Sequence, residues 1–306
     1  MCKDLAKQEV QNFWGALYNS LYDDIDSSLS KELLMEGLCD LEHMFHFRNY
    51  MTVKEISLTS LRGKKVLEIG SGSGGHSALF AKYGAIMSSA DITFSRAKST
   101  QIKFDLMGDL AMGCQSLQTD AENLPFSDNT FDIVYSNGVL HHTPNTERAI
   151  GDIYRVLKPG GKSVIMLYCK DSWHYWFNMF LCVGILTGKI FTGPNWLGRA
   201  TEWGGKKNQT VENPITRCYT SSGVKKLFER FDSLTLRKGE FNFYLIPKIG
   251  RLYRKWQILH YGTHPGGNLV YGEPWPISSP IELWLGKFIG WDWFISATKP
   301  HENKGA

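Results

Sequence analysis

A glycine-rich turn is the sequence feature that most constrains how this chain can fold. The apolar run Val66–Ile69 leads into Gly70-Ser71-Gly72-Ser73-Gly74-Gly75, and a helical pattern follows from His76 to Tyr83. Glycine allows the backbone to take positive φ angles and to pass close to a ligand between a strand and a helix. The pattern therefore predicts a strand, a tight turn and a helix, with a nucleoside-like cofactor bound at the turn.

Short apolar runs alternate with helical patterns along the rest of the chain. Strands are predicted at Val66–Ile69, Ile86–Ala90, Cys114–Gln118, Phe131–Tyr135, Ser163–Leu167, Leu234–Leu236 and Phe294–Ala297. Helices are predicted at His76–Tyr83, Phe94–Met107, Thr146–Val156 and Ser221–Phe231, the last capped by Thr220. This alternation predicts an α/β fold, namely a Rossmann-like, seven-stranded, mostly parallel sheet with helices on both faces.

The remaining segments are predicted to surround that sheet. Apolar spacing between Val10 and Met51 indicates helices, so residues 1–60 form an N-terminal helical cap. The main domain then covers residues 61–306. Two aromatic-rich insertions interrupt it, at about 170–219 and 241–290.

One acidic residue separates two kinds of cofactor site. Gly70, Gly72 and Gly75 also fit the G-x-G-x-x-G spacing of dinucleotide-binding proteins, and that spacing alone is a weak signal. Glu68, however, lies inside the strand, where a dinucleotide site normally has an apolar residue. A carboxylate at this point suits a cationic ligand.

The segment Val66–Gly74 resembles the first motif of the class I S-adenosylmethionine-dependent methyltransferases, in the subgroup that includes ubiquinone and menaquinone C-methyltransferases. Four later segments agree with that family in order and spacing. They are Ala90–Thr93, Asp120–Phe126, Phe131–His142 and Arg155–Gly161. Together they cover roughly residues 65–168, which is far more specific than a single glycine turn.

The resemblance implies S-adenosyl-L-methionine as the cofactor and assigns roles to individual residues. Asp91 would accept hydrogen bonds from the ribose hydroxyls, and Ile92 would pack on the adenine. Asp120 and the backbone of Ala121 would recognise the adenine edge, while the loop after the fourth strand would face the methionine part. The cofactor-binding set is Glu68, Gly70, Ser71, Gly72, Gly74, Asp91, Ile92, Asp120, Ala121 and Asn137.

Two adjacent histidines are the candidate catalytic residues. His141 and His142 follow the fourth predicted strand, and imidazole has the side-chain pKa nearest neutrality, which suits a general base. Loop packing or a substrate contact would explain them equally well. His174 and Tyr168 are weaker candidates. The sequence has no cluster of Cys, His and carboxylate residues at metal-ligand spacing, so no metal is expected.

Composition narrows the partners and the compartment. Lys and Arg exceed Asp and Glu by only four residues and do not cluster, so no nucleic-acid partner is expected. The six cysteines are far apart, which favours reduced thiols in the cytoplasm over disulfides. The N-terminus has no secretory signal pattern, so export is not expected.

The first insertion is apolar on nearly every side from Trp173 to Leu186. It is too short and too interrupted to span a bilayer. A helix that seals the active site or forms a homodimer interface would explain it, as would a wall for an aromatic or isoprenoid acceptor. Peripheral contact with a membrane is the remaining alternative. Arg217 and Tyr219 are expected to tie this insertion to the core rather than to contact substrate.

Three functions remain open from the sequence. The first is methyl transfer to an O, N or C atom of a small acceptor that is aromatic, quinone-like or a lipid. The second is a nicotinamide-dependent oxidoreductase, which Glu68 and the Asp120-Ala121 segment oppose. The third is a catalytically silent binding subunit, which the intact cofactor motifs disfavour.

Overall fold

The computed structural model describes residues 2–201 and 212–301, so the part of the first insertion at residues 202–211 lies outside the described residues. The strands are β1 Lys65–Ile69, β2 Ile86–Asp91, β3 Gln115–Gln118, β4 Phe131–Asn137, β5 Leu157–Tyr168, β6 Asp232–Gly239, β7 Thr263–His264, β8 Trp275–Pro276 and β9 Asp292–Thr298. The α-helices are α1 Cys2–Ser28, α2 Lys31–Phe47, α3 Met51–Lys54, α4 Gly75–Lys82, α5 Phe94–Met107, α6 Thr146–Val156, α7 Ser221–Leu227, α8 Gly250–Tyr261, α9 Asn268–Tyr271 and α10 Pro280–Ile289.

Seven of these strands form one sheet in the order β3-β2-β1-β4-β5-β9-β6. The pairs from β3 to β5 are parallel, whereas β9 pairs antiparallel with both β5 and β6. The predicted seven-stranded, mostly parallel sheet is therefore confirmed. Strands β2 and β3 extend the sheet on one side of β1, and β5 extends it on the other side, beyond β4. The neighbouring strands β1 and β4 therefore form a topological switch point, and such sheets bind ligands at the carboxyl ends of the strands there.

The core has two apolar clusters, one on each face of the sheet. Neighbouring residues of β1 belong to different clusters, Val66 to the first and Leu67 to the second, because successive strand residues point to opposite faces. The first cluster joins the sheet to α2, α4 and α5, and the second joins it to α6 and α7. The α2 residues Leu34, Leu38 and Leu41 are fully buried in the first cluster, so the helical cap shares the core of the sheet.

Several predicted boundaries were wrong, chiefly where tertiary pairing extends a weak local signal. The strand predicted at Ser163 begins at Leu157, because Leu157 pairs with Phe131 of β4 and the pairing resumes at Lys162 after a register shift. The strand predicted at Leu234–Leu236 extends over Asp232–Gly239 against β9. The helix predicted to end at Phe231 ends at Leu227, although Thr220 does cap it by accepting a hydrogen bond from the N–H of Gly223 at 3.1 Å.

The insertions contain structure that the sequence patterns did not specify. In the first, His174–Ile185 is a π-helix with one face buried and the other exposed. In the second, α8 and α10 flank the short β7–β8 ladder and α9. Of the helices in the described residues, none combines the length and the apolar character needed to cross a bilayer.

Candidate active site

The glycine loop between β1 and α4 forms the floor of the site. Gly70, Gly72 and Gly74 have φ angles of 76°, 54° and 80°, a region that favours glycine. A Cβ atom on Gly70 would overlap the side chain of Val139, and one on Gly72 would lie 2.9 Å from the ring of Tyr18. The loop is therefore enclosed by side chains on both sides, and only glycine fits there.

Glu68 is a buried carboxyl group without a strong cationic partner among the described residues. It is 1% exposed and accepts a hydrogen bond from the hydroxyl of Ser77. His76 Nδ1 lies 3.7 Å from Glu68 Oε1, but burial lowers the pKa of His76 to about 3, so its imidazole is neutral near pH 7. Burial raises the pKa of Glu68 to about 8, a shift that the Ser77 hydrogen bond opposes.

Asp91 ends β2 and holds the glycine loop in place. Its Oδ2 accepts a hydrogen bond from the N–H of Gly72 at 3.0 Å, and its Oδ1 accepts from the N–H and hydroxyl of Thr93 at 2.8 and 2.9 Å. Burial nevertheless raises the pKa of Asp91 above its usual range. Asp91 is thus fixed at the carboxyl edge of the sheet, beside the loop.

Two adjoining clefts share Tyr18, Gly70 and Gly72. The larger cleft, about 700 Å³ including its open mouth, is lined by residues that include Val10, Trp14, Tyr18, Asp91, Ile92, Asp120, Ala121 and His142. The smaller cleft, about 300 Å³, is lined by Tyr18, Glu68, Gly70, Ser71, Gly72, Ser73, His76, Asn137 and Val270. The structure therefore brings nine of the ten predicted cofactor residues to one continuous site.

The tenth predicted residue, Gly74, lies behind the loop. It precedes α4 as its N-cap, and a Cβ atom there would lie 2.8 Å from the hydroxyl of Thr100 on α5. Gly74 therefore allows α4 to pack closely against α5, and it lines neither cleft.

The N-terminal helix α1 covers the larger cleft, with Val10, Trp14 and Tyr18 on its wall. Ion pairs attach the helix to the sheet domain at both ends. Lys7 pairs with Asp120, and its Nζ lies 3.3 Å from Glu122. Further along the helix, Asp26 pairs with Arg96 and Lys103 of α5 at 3.3 and 2.7 Å.

The two candidate catalytic histidines occupy different surroundings. His142 lies on the wall of the larger cleft, 4.9 Å from the ring of Trp14. Its Nδ1 is 2.8 Å from the carbonyl oxygen of Ile215, which can only accept, so this contact favours the tautomer with the proton on Nδ1. This fixes the ring and leaves Nε2 as its basic atom.

His141 is fully buried and lines neither cleft. Its ring packs 3.9 Å from that of Tyr168, and neither of its nitrogens has a hydrogen-bond partner among the described residues. Burial holds the pKa of His141 well below its usual range. His141 therefore packs against the ring of Tyr168 in the protein interior. His174, the weaker candidate, is likewise buried, which lowers its pKa to about 4.

His76 is a site residue that the sequence analysis missed. It lines the smaller cleft with Glu68 and Asn137, is 5% exposed, and has no hydrogen-bond partner for Nε2 among the described residues. Its Nδ1 is 2.9 Å from the hydroxyl of Tyr135. The sequence does contain a histidine in the first turn of the helix after the glycine loop, but its pattern predicts only a helix at this position.

Tyr50 is a second missed residue. Its hydroxyl donates a hydrogen bond of 2.7 Å to Oδ1 of Asn137, which fixes the orientation of that amide at the end of β4. Arg217 and Tyr219 bind the core, as expected: Arg217 donates to the carbonyls of Thr143 and Pro144, and the N–H of Tyr219 donates to Tyr168 O at 2.9 Å.

Comparison with known proteins agrees with this architecture. Residues 67–165 match the family model described as a methyltransferase domain. The chain therefore contains a segment that resembles known methyltransferase domains. The matched residues run from β1 into β5 and include all ten predicted cofactor residues together with His141 and His142.

Curated relatives cover only part of the chain. The ubiquinone/menaquinone biosynthesis C-methyltransferase UbiE of Haemophilus ducreyi is 31% identical over 173 residues, which is 55% of this chain and 62% of that protein. The sterol 4-C-methyltransferase strm-1 of Caenorhabditis elegans is 36% identical over 106 residues, 35% of this chain and 31% of that protein. The chain therefore spans less than two thirds of each.

A solved structure shows the same fold. Phosphoethanolamine N-methyltransferase 2 of Haemonchus contortus, in complex with S-adenosyl-L-methionine, aligns with a TM-score of 0.51 at 17% identity. The alignment covers 87% of this chain and 57% of that one. At this identity the likeness concerns the fold alone.

Proposed function

We propose that this protein transfers the methyl group of S-adenosylmethionine to an O, N or C atom of a small apolar acceptor. The observation that carries the proposal is the continuous site formed by Glu68, the glycine loop and Asp91 at the switch point of the sheet. The bound cofactor supplies an already activated methyl group, so the protein need only position the acceptor and exclude water.

The smaller cleft suits the amino acid end of the cofactor. Its buried Glu68 carboxyl group lacks a strong cationic partner, and the cofactor's ammonium group would supply that charge. A neutral His76, which lines this cleft and whose Nε2 has no hydrogen-bond partner among the described residues, would donate to or accept from the same end of the cofactor. A nicotinamide dinucleotide has no aliphatic ammonium group to pair with Glu68.

The larger cleft suits the adenosine end. Asp91 and Ile92 follow β2, and Asp120 and Ala121 follow β3, so polar and apolar groups lie side by side along its wall. Trp14 and Tyr18 would cover the cofactor from the solvent side. Closure by α1 would exclude water from the transferring methyl group.

Apolar surroundings support an apolar acceptor. Apolar side chains, among them Val10, Trp14 and Val139, line the larger cleft together with His142. The relatives named above include enzymes of quinone and sterol methylation, in agreement with an aromatic, quinone-like or lipid acceptor. His142 is the proposed base for acceptors that must lose a proton.

The test is methyl transfer from radiolabelled S-adenosylmethionine to organic-extractable acceptors in a total lipid and quinone extract. Label should enter the organic phase with the native chain and not with Asp91→Ala. Label that stays in the aqueous phase, with saturating cofactor bound, would overturn the proposed acceptor class but not the cofactor. Label transfer equal in the variant would overturn the assigned site.

A further inference from the structure

Helix α8 carries an apolar stripe on the side that faces solvent. Ile249, Leu252, Trp256 and Leu259 follow one another at intervals of three or four residues, so they lie on one helix face. Their exposed fractions are 57%, 70%, 48% and 88%. An amphipathic helix of a globular protein normally turns this face toward the core. We call these four residues the outer face of α8.

The orientation of α8 is fixed by its opposite side. Gln257 is fully buried, and its Nε2 donates hydrogen bonds of 3.0 Å to the carbonyl of Ile277 and to the carboxylate of Glu282. Gly250 packs so closely against Tyr244 that a Cβ atom would overlap its backbone. Arg254 forms an ion pair with Glu273 at 3.0 Å. The helix is therefore anchored with its apolar stripe outward.

Positive charge borders the stripe on one side. Lys248, Arg251 and Lys255 are all exposed and lie within one turn of the outer-face residues. Between Glu240 and Glu273 the sequence contains no Asp or Glu. The segment thus combines exposed leucine, isoleucine and tryptophan with the exposed Lys248, Arg251 and Lys255, while Arg254 is the basic residue paired with Glu273.

The adjoining helix α10 repeats this pattern. Ile281, Trp284 and Phe288 are 54%, 56% and 58% exposed and share one face, with the exposed Lys287 beside them. The only acid of α10, Glu282, is buried in the contact with Gln257. Two packed helices therefore both present tryptophan and lysine to solvent.

We propose that the outer face of α8, together with the exposed face of α10, docks this protein on an anionic lipid bilayer. Apolar side chains would enter the boundary between headgroups and acyl chains, tryptophans favour that boundary, and the basic residues would contact anionic headgroups. Since the inner side of α8 is fixed to the protein, the helix would lie in the plane of the surface.

The positive charges beside the stripe favour an anionic bilayer over a second copy of the chain as the partner. A two-fold contact pairs one patch with itself, so it would bring Lys248, Arg251 and Lys255 of two copies together without an acid between Glu240 and Glu273 to neutralise them. An anionic bilayer removes that repulsion. This inference is independent of the proposed methyl transfer.

The experiment is co-sedimentation of the full chain with phosphatidylcholine vesicles, with and without phosphatidylglycerol. Binding should require the anionic lipid and weaken at high salt. The double variant Leu252→Ser/Leu259→Ser should abolish it, and Lys255→Ala should lower the partition coefficient about fivefold. These residues are exposed, so the variants should keep the native melting temperature.

A matched control comes from the opposite edge of the sheet. Leu110→Ser/Met112→Ser changes two residues that are 46% and 79% exposed and should leave vesicle binding unchanged. No binding of the native chain to anionic vesicles, or equal binding by both double variants, would overturn the proposal. So would a dimer in analytical ultracentrifugation without lipid that only Leu252→Ser/Leu259→Ser dissociates.

Discussion

The backbone N–H of Gly72 donates a hydrogen bond of 3.0 Å to Oδ2 of Asp91. This bond ties the glycine loop after β1 to the carboxyl end of β2, so the two parts of the proposed cofactor site hold each other in position. Asp91 therefore supports the loop in addition to the cofactor-binding role that we propose for its carboxylate.

Substitution of Asp91 should weaken cofactor binding strongly. Asp91→Ala removes a charged acceptor and releases the loop, and a hydrogen bond to a charged group contributes about 1.5–3 kcal/mol. We expect the Kd for S-adenosylhomocysteine to rise at least about tenfold in calorimetric titration. Asp128→Ala, at an exposed carboxylate, is the control. Unchanged affinity in Asp91→Ala would remove this residue from the site.

The stability of the ligand-free protein should depend on pH through Glu68. Its pKa is about 8 in the folded chain, against about 4.3 in an unfolded one. The folded state therefore binds more protons in this interval, and the stabilisation is complete below about pH 4 and is lost as pH rises through about 8. The melting temperature of the native chain should fall from pH 6 to pH 8 relative to that of Glu68→Gln. Parallel curves for the two proteins would contradict the raised pKa.

The two histidines should respond differently to the same substitution. His141→Phe replaces a ring whose nitrogens have no partner among the described residues, so the melting temperature should stay equal or rise and the methyl transfer rate should persist. His142→Phe should lower the rate about 10²–10⁴-fold for acceptors that lose a proton, with cofactor affinity retained. The opposite assignment of effects would show that His141 is the base.

Tyr18 should act as part of the cover over the cofactor. Its ring lies against Gly72 and borders both clefts, and an aromatic contact contributes about 1 kcal/mol. Tyr18→Ala should weaken S-adenosylhomocysteine binding several-fold. Leu5→Ala, at a residue of the same helix that is 57% exposed, should not. If both variants bind with native affinity, α1 does not cover the cofactor.

The sequence predicted the sheet and the polar residues at its edge, because strand, loop and helix signals there are local. It did not predict that Trp14 and Tyr18 line the cleft, since apolar spacing identifies a helix but not the surface on which it packs. His76 was missed for a related reason, because only the fold shows that the first turn of α4 faces Glu68. The difference between His141 and His142 also depends on tertiary contacts, with Tyr168 and Ile215 respectively.

Local sequence patterns also did not predict that the apolar stripes of α8 and α10 face solvent. The spacing of Leu252, Trp256 and Leu259 would ordinarily predict a face packed on the core. Burial of Gln257 against Glu282 turns that face outward, and this contact joins residues 25 positions apart.

The central claim is that the cleft beside Glu68 and Asp91 binds S-adenosylmethionine rather than a nicotinamide dinucleotide. Calorimetric titration of the purified chain with S-adenosylhomocysteine and, separately, with NADH tests it most directly, repeated on Glu68→Ala and Asp91→Ala. We predict saturable binding of S-adenosylhomocysteine that both variants lose, and no binding of NADH. Absence of S-adenosylhomocysteine binding by the folded native chain, or a preference for NADH, would contradict the account.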